Sequence, residues 1–335
     1  MSDKPFILPV RQVVALLHCW LDEAAPIRLH TTNKMEKAMN DPYVYLSVNG
    51  SSEMVPLSQA RIPVLDRGFI FGDGVYEVLP IYAGKPFRID HHLSRMERSL
   101  AAVRIPNPYD FAGWKARIAE LVSRFDADDQ FVYMQITRGV AKRAHAFPKD
   151  AVPTVFMMTN PLVLPTPEAR ENGVAAVSAE DNRWLRCDIK STSLLGNILM
   201  AQHAAEHGVA ETILFRDGIL TEGSSTNVWI VRDGVLIAPP LDNRILEGIR
   251  YGLISELAAA HELPLVNRTI SEAEVRSADE LILSSATKEV LPVVKLDGRA
   301  VGRGEHAGTV GPVYKKLYAW YQEAKFAESK ADGLR

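Results

Sequence analysis

Two cysteines, Cys19 and Cys187, are all that the 335 residues hold. They are too few to staple a chain this long, which excludes a disulfide scaffold and makes a reducing cytoplasm the expected setting. Long apolar runs are missing as well, since no stretch approaches the ~20 residues of a membrane span. The most apolar early segment, Val13 to Trp20, is interrupted by His18 and runs into Asp22 and Glu23. Without a small-residue cleavage site it makes a poor secretory signal. Charge of one sign is scarce too: the formal net charge is -3. No basic field points to nucleic acid, and a cluster as short as Lys142-Arg143 does not make such a surface.

Whole classes of motif are also absent. Gly72-Asp73-Gly74 lacks the third glycine of a dinucleotide fingerprint, and there is no Walker loop, H-E-x-x-H or C-x-x-C. His91 and His92 are adjacent and face different ways on a helix, a poor metal clamp. Nicotinamide, nucleotide and zinc enzymes are therefore not expected, and no metal site is assigned.

The chain is too long for one core, which points to more than one domain. Residues 1–40 differ from the rest: a short helical pattern around Arg11 to Leu21 precedes a polar stretch with no packing periodicity. They are read as an accessory extension, or as an over-long choice of start codon. A strand-like run then begins at Tyr43 and turns at Asn49-Gly50. Strand patterns follow at Gly74 to Ile81, Pro86 to Ile89, Phe131 to Thr137 and Thr154 to Met158, with helical periodicity at His92 to Val103 and Tyr109 to Ser123. Prolines 161, 165 and 167 mark a linker over residues 161–168. Beyond it, strands at Gly173 to Ser178, Thr212 to Phe215, Val228 to Val231 and Leu281 to Ser284 alternate with helices at Leu195 to His207, Gly248 to His261 and Gly311 to Ala327. This pattern predicts two mixed α/β domains, residues 41–160 and 169–328, each with its own core.

Three constellations carry possible chemistry. In the first, Trp184 to Gly196, Lys190 sits between apolar Ile189 and a small polar run that opens a helix. A lysine in a partly desolvated place can lose its proton and form a Schiff base, although most lysines are simply solvated. Thirty-two residues on, Glu222 ends a strand and leads through Gly223, Ser224, Ser225 and Thr226 into the next. Alone it is a serviceable hairpin; beside Lys190 it could keep a pyridine nitrogen protonated. A phosphate could sit where Leu246-Glu247-Gly248-Ile249-Arg250 opens a helix, with Arg95 adding a charged contact. In the third segment, Thr137 to Pro148, Arg143 and His145 are two apart and could converge on one carboxylate, or form a solvated basic loop.

Together with Asp66-Arg67-Gly68-Phe69-Ile70-Phe71-Gly72-Asp73-Gly74-Val75-Tyr76-Glu77-Val78, these segments fall in order over roughly residues 43–325. In that arrangement the chain resembles the fold-type-IV pyridoxal-phosphate enzymes, the class-IV aminotransferases, and within them the D-amino-acid transaminases. The resemblance implies a smaller N-terminal and a larger C-terminal α/β domain with pyridoxal 5'-phosphate between them, in a homodimer whose sites draw on both subunits. It implies that Lys190 forms the internal aldimine and shuttles the α-proton, with Glu222 as the ring-nitrogen partner. Arg95 would bind phosphate with the backbone of Ile249 and Arg250, Leu246 would pack behind the ring, and Ser225 and Thr226 would lie beside it. Tyr76, Arg143 and His145 would grip the substrate carboxylate. Two positions depart from the family pattern: Ala286 replaces a threonine that offers its hydroxyl to phosphate, and Arg250 replaces a small hydroxyl residue. The implied reaction is ping-pong, D-alanine plus 2-oxoglutarate giving pyruvate plus D-glutamate. Branched-chain L-amino-acid transamination, aminodeoxychorismate lyase or amine transaminase activity on the same fold, and a non-catalytic binding protein stay open as alternatives.

Overall fold

The computed structural model describes residues 41–330, so the helical pattern at Arg11 to Leu21 and the extension it belongs to lie outside the described residues. The first part of the described chain runs β1 (Tyr43–Val48), β2 (Ser51–Pro56), α1 (Arg67–Phe71), β3 (Gly74–Tyr82), β4 (Lys85–Pro86), α2 (Ile89–Ala102), α3 (Phe111–Ser123), β5 (Gln130–Thr137) and β6 (Thr154–Pro161). Its six strands pair antiparallel throughout, in the order β2-β1-β6-β5-β3-β4.

The second part runs α4 (Pro167–Asn172), β7 (Val174–Glu180), α5 (Leu195–Glu206), β8 (Glu211–Arg216), β9 (Ile219–Gly223), β10 (Asn227–Arg232), β11 (Val235–Ala238), α6 (Ile249–Ala260), β12 (Leu265–Asn267), α7 (Glu272–Arg276), β13 (Glu280–Ser285), β14 (Glu289–Leu296), β15 (Arg299–Ala300) and α8 (Pro312–Lys330). Its nine-stranded sheet has the order β12-β11-β10-β13-β14-β7-β8-β9, with β15 on β14. The pairs β7·β8, β7·β14 and β11·β12 are parallel and the rest antiparallel, so the fold is mixed α/β. Among the described residues, no helix is long and apolar enough to cross a membrane.

Helix α2 shows how the sequence builds both core and site. Leu93, Met96 and Leu100 recur at three- and four-residue spacing and bury against β3 and β5, with Trp114, Ile118 and Leu121 of α3 in the same cluster. Burying each such side chain contributes about 1.5–3 kcal/mol. One position round the helix, His92, Arg95 and Ser99 form a second stripe that is buried yet polar. The same periodicity that anchors the helix therefore aims three polar groups at the junction with the second sheet.

The strand expected over Pro86 to Ile89 is corrected: only Lys85 and Pro86 pair, and α2 starts at Ile89. Arg88 adopts a left-handed backbone (φ 58°) as the residue before the helix, which ends the extended run. In the span read as a linker, Pro161 closes β6 and Pro167 opens α4, whose amide at Ala169 bonds the Thr166 hydroxyl.

Candidate active site

The two sheets flank a cavity of about 350 Å³ lined by Lys190, Glu222, Arg95, Tyr76, Asn227 and the start of α6. Lys190 lies on the irregular segment between β7 and α5, held as an extra rung on β3: its carbonyl accepts from the Tyr76 amide at 3.0 Å and the Thr192 amide bonds Gly74 O at 3.0 Å. Its own amide donates to Ser99 Oγ at 3.2 Å. The half-buried Nζ stands 4.3 Å from the centre of the Tyr76 ring. Tyr76 stacks on Tyr133, whose hydroxyl burial pushes up to about 12.

Glu222 ends β9 in a buried position. Its Oε1 accepts from Arg183 Nη1 at 2.5 Å, and Oε2 from the Leu246 amide at 3.0 Å and Asn227 Nδ2 at 3.4 Å. Burial pushes this carboxyl above the usual range, while the Arg183 charge and the Leu246 amide oppose the shift. Asn227 also donates to Leu246 O at 2.8 Å, which ties the Leu246 backbone to the Glu222 turn. That close approach needs Gly248, where a Cβ would lie 2.1 Å from Asn227 Oδ1.

At the other end of the cavity, Arg95 donates from Nε and Nη2 to Glu77 at 3.0 and 2.5 Å and from Nη1 to Glu247 O at 3.0 Å. His92 Nδ1 lies 3.0 Å from Glu77 Oε1. Burial works to raise the Glu77 carboxyl, yet the Arg95 charge and the His92 bond win and leave it well below the usual range. Burial, with Arg95 and Arg250 nearby, pushes His92 down to about 4, against the pull of Glu77. Helix α6 begins after Gly248 without a side-chain cap, and its first bond to Gly248 O comes from Tyr251. The amides of Ile249 and Arg250 therefore precede the helical ladder, the arrangement that suits an anion.

Ser225 and Thr226 line the cavity, but their hydroxyls donate to Glu211 at 3.3 and 3.0 Å, as does that of Ser224. Lys288 Nζ balances Glu211 at 3.0 Å. Ala286 lines the cavity between Ser285 and Thr287. Arg143 and His145 do not line this cavity within the chain. They are exposed, packed on Phe71 with the Arg143 guanidinium 5.4 Å and the His145 ring 5.7 Å from the ring centre. Arg67 fixes their loop by donating to Ala144 O at 2.6 Å and His145 O at 3.3 Å.

Sequence reasoning missed Arg183, Asn227, Glu77, His92 and Glu211. Glu77 had a visible signal, a lone acid within the otherwise uncharged run from Gly74 to Tyr82. Arg183 had none, because its role depends on a partner 39 residues away.

A family model described as amino-transferase class IV matches residues 74–296. The chain belongs to this family. Among curated class IV aminotransferases, D-alanine aminotransferase of Bacillus licheniformis is 37% identical over 279 residues, which span 83% of this chain and 97% of the relative. The D-alanine aminotransferase of Staphylococcus aureus strain MSSA476 is 38% identical over 280 residues, 83% of this chain and 97% of its own length. Of solved structures, the Escherichia coli branched-chain amino acid aminotransferase matches with a TM-score of 0.77 at 26% identity, covering 86% of this chain and 94% of that one.

Proposed function

We propose that this class IV aminotransferase transfers the amino group of D-amino acids, taking D-alanine to pyruvate and 2-oxoglutarate to D-glutamate in a ping-pong cycle, with pyridoxal 5'-phosphate as cofactor. The observation that carries this is one cavity lined by a half-buried lysine, a buried carboxylate and an arginine together with a helix N-terminus. That donor set fits the cofactor in chemistry: lysine for its aldehyde, carboxylate for its ring nitrogen, cation and free amides for its phosphate.

When bound, the cofactor supplies an aldehyde that takes up the amino group and a protonated ring that accepts electrons from the substrate α-carbon. Lys190 would hold the aldehyde end through Nζ, and the same amine would carry the α-proton on one fixed face of the site. Glu222 would keep the proton on the ring nitrogen. Arg95 and the amides of Ile249 and Arg250 would hold the phosphate, and Leu246, Ser225, Thr226 and Ala286 would line the space for the ring. Tyr76, Arg143 and His145 hold the substrate carboxylate, and because one lysine serves one face, the side on which they hold it sets D-selectivity.

The enzyme works as a homodimer in which Arg143 and His145 complete the cavity of the second copy. Two features support this. Their loop lies outside the cavity of its own chain, and Leu195, Ile198 and Leu199 expose 70%, 60% and 56% of their surface on α5 beside that cavity. Residues 41–160 and 169–328 are assigned as its two domains, and the bacterial cytoplasm as its compartment.

Transamination of branched-chain L-amino acids is the second reading, favoured by the fold shared with the Escherichia coli enzyme. Visible spectra of the purified holoenzyme separate the two. Conversion of the cofactor band to the amine form by D-alanine and not by L-leucine supports the proposal. The reverse moves the activity to the branched-chain class, and a protein that retains no pyridoxal 5'-phosphate overturns both.

A further inference from the structure

Arg250 is 1% exposed, in the first turn of α6, and its guanidinium lies 4.8 Å from the centre of the Phe87 ring. Neither Nε nor Nη2 has a hydrogen-bond partner of good geometry, and the neutral phenols of Tyr82 and Tyr321 are the nearest groups able to accept from them. Among the described residues no carboxylate forms an ion pair with it, although the chain pairs its other deeply buried arginines, Arg67, Arg95 and Arg183, with Asp or Glu. The groups facing it are the phenols of Tyr82 and Tyr321, which burial keeps in their neutral form, and His92. A guanidinium does not lose its proton in a protein, so this is a buried cation without an anion, a costly thing to keep unless it acts on something.

What it reaches is His92. Arg250 Nη1 lies 3.5 Å from His92 Nε2, and arginine has only donors. His92 Nε2 must then accept, which leaves the ring proton on Nδ1, where it points at Glu77 Oε1 3.0 Å away. Glu77 uses both oxygens to hold Arg95. The other tautomer would set a lone pair of Nδ1 against the carboxylate and release one of its bonds. The order Arg250, His92, Glu77, Arg95 thus runs in one direction, each group oriented by the one before it, from the first turn of α6 back to the cavity wall opposite.

We infer that Arg250 is a positioning residue for the anion end of the cavity: it locks His92 in the Nδ1–H tautomer, and through Glu77 sets the orientation of the Arg95 guanidinium. This rests on the reading of that end as the phosphate site. Ala286, which also lines the cavity, has no hydroxyl to offer an anion.

The test uses the holoenzyme with labelled histidine and two variants. Arg250→Met keeps the stem and removes every donor; Arg250→Lys keeps a donor. Equilibrium dialysis against graded pyridoxal 5'-phosphate reads cofactor affinity, and ring-nitrogen NMR shifts read the tautomer of His92. The inference expects Nδ1–H in the wild type, averaging of the tautomers in Arg250→Met with affinity weakened about tenfold, and recovery to within about threefold in Arg250→Lys. In a His92→Leu background, Arg250→Met should change affinity by less than about twofold, which a general packing role would not produce. A wild-type His92 protonated on Nε2, or unchanged affinity in Arg250→Met, overturns the inference. A wild type that binds no pyridoxal 5'-phosphate sinks the functional reading instead, and the His92 tautomer still decides the Arg250–His92 link.

Discussion

Arg183 Nη1 and Glu222 Oε1 meet at 2.5 Å in a buried pair at the end of the cavity. Arg183 is itself held from behind by Asp181, through Nε and Nη2 at 2.9 Å each. Burial raises the Glu222 carboxyl and Arg183 is the largest influence against it, so the pair decides whether Glu222 carries a charge when the ring nitrogen needs one. Arg183→Met should move the carboxyl further up. Its acid-side limb of kcat against pH should then shift to higher pH, with activity recovering as pH rises and Glu222 ionises again. An acid limb that stays at the wild-type pH would mean that Arg183 does not govern Glu222.

Lys190→Ala should abolish turnover. Arg143→Ala should raise KM for D-alanine by about tenfold or more, consistent with a lost charge-assisted contact, and leave cofactor binding unchanged. Each variant removes one half of the shared site, so mixing them tests the dimer. A heterodimer of the two holds one cavity with both Lys190 and a complete carboxylate grip. Recovery of a population of sites with the wild-type KM on subunit exchange is the expected result; a mixture whose KM for D-alanine stays at the Arg143→Ala value would place both functions in one chain.

Much of this was legible in the sequence, and the gaps have physical causes. The apolar stripe of α2 is visible from Leu93 onward, whereas its true start at Ile89 depends on the left-handed Arg88, which no apolar periodicity marks. Strand β14 was hidden by Pro292, since proline argues against a central strand. It is tolerated because pairing with β7 begins only at Val293, one residue past it. Lys190, Glu222 and Arg95 could be singled out from their local context and Tyr76 from the family resemblance, and all four line one cavity. The partners that tune them did not, because Arg183 and His92 matter only through contacts that the fold creates between distant segments.

The buried His92–Glu77 pair makes stability sensitive to acid. His92 is held down to about 4 in the fold and returns to roughly 6.5 when unfolded, so the unfolded chain binds the extra proton first as pH falls. Stability should therefore decline between about pH 6.5 and 4, with a slope on the order of 1 kcal/mol per pH unit from this group. Glu77, depressed in the fold, adds stability that is present above its unfolded value near 4.3 and is lost as pH falls further. Urea midpoints across this range check the sign. The His92→Leu variant should lose the upper part of the slope, and an equally steep one would assign it to other groups.

Gly139 offers a test that separates the carboxylate loop from the cofactor cavity. It sits at φ 96°, and a Cβ there would lie 1.9 Å from Val152 O, in backbone that cannot swing aside. Its carbonyl accepts from the Arg67 amide at 2.9 Å, and its neighbour Arg138 pairs with Asp73, so it joins β5 to the loop that presents Arg143 and His145. Gly139→Ala should cost about 3 kcal/mol through strain and displacement of that loop, and lower Tm accordingly. Cofactor affinity should stay within about twofold, because no contact of Lys190, Glu222 or Arg95 passes through Gly139, while KM for D-alanine should rise as it does in Arg143→Ala. A variant with wild-type Tm and KM would show that the Val152 backbone yields freely, and that the loop owes its geometry to Arg67 and Phe71 alone.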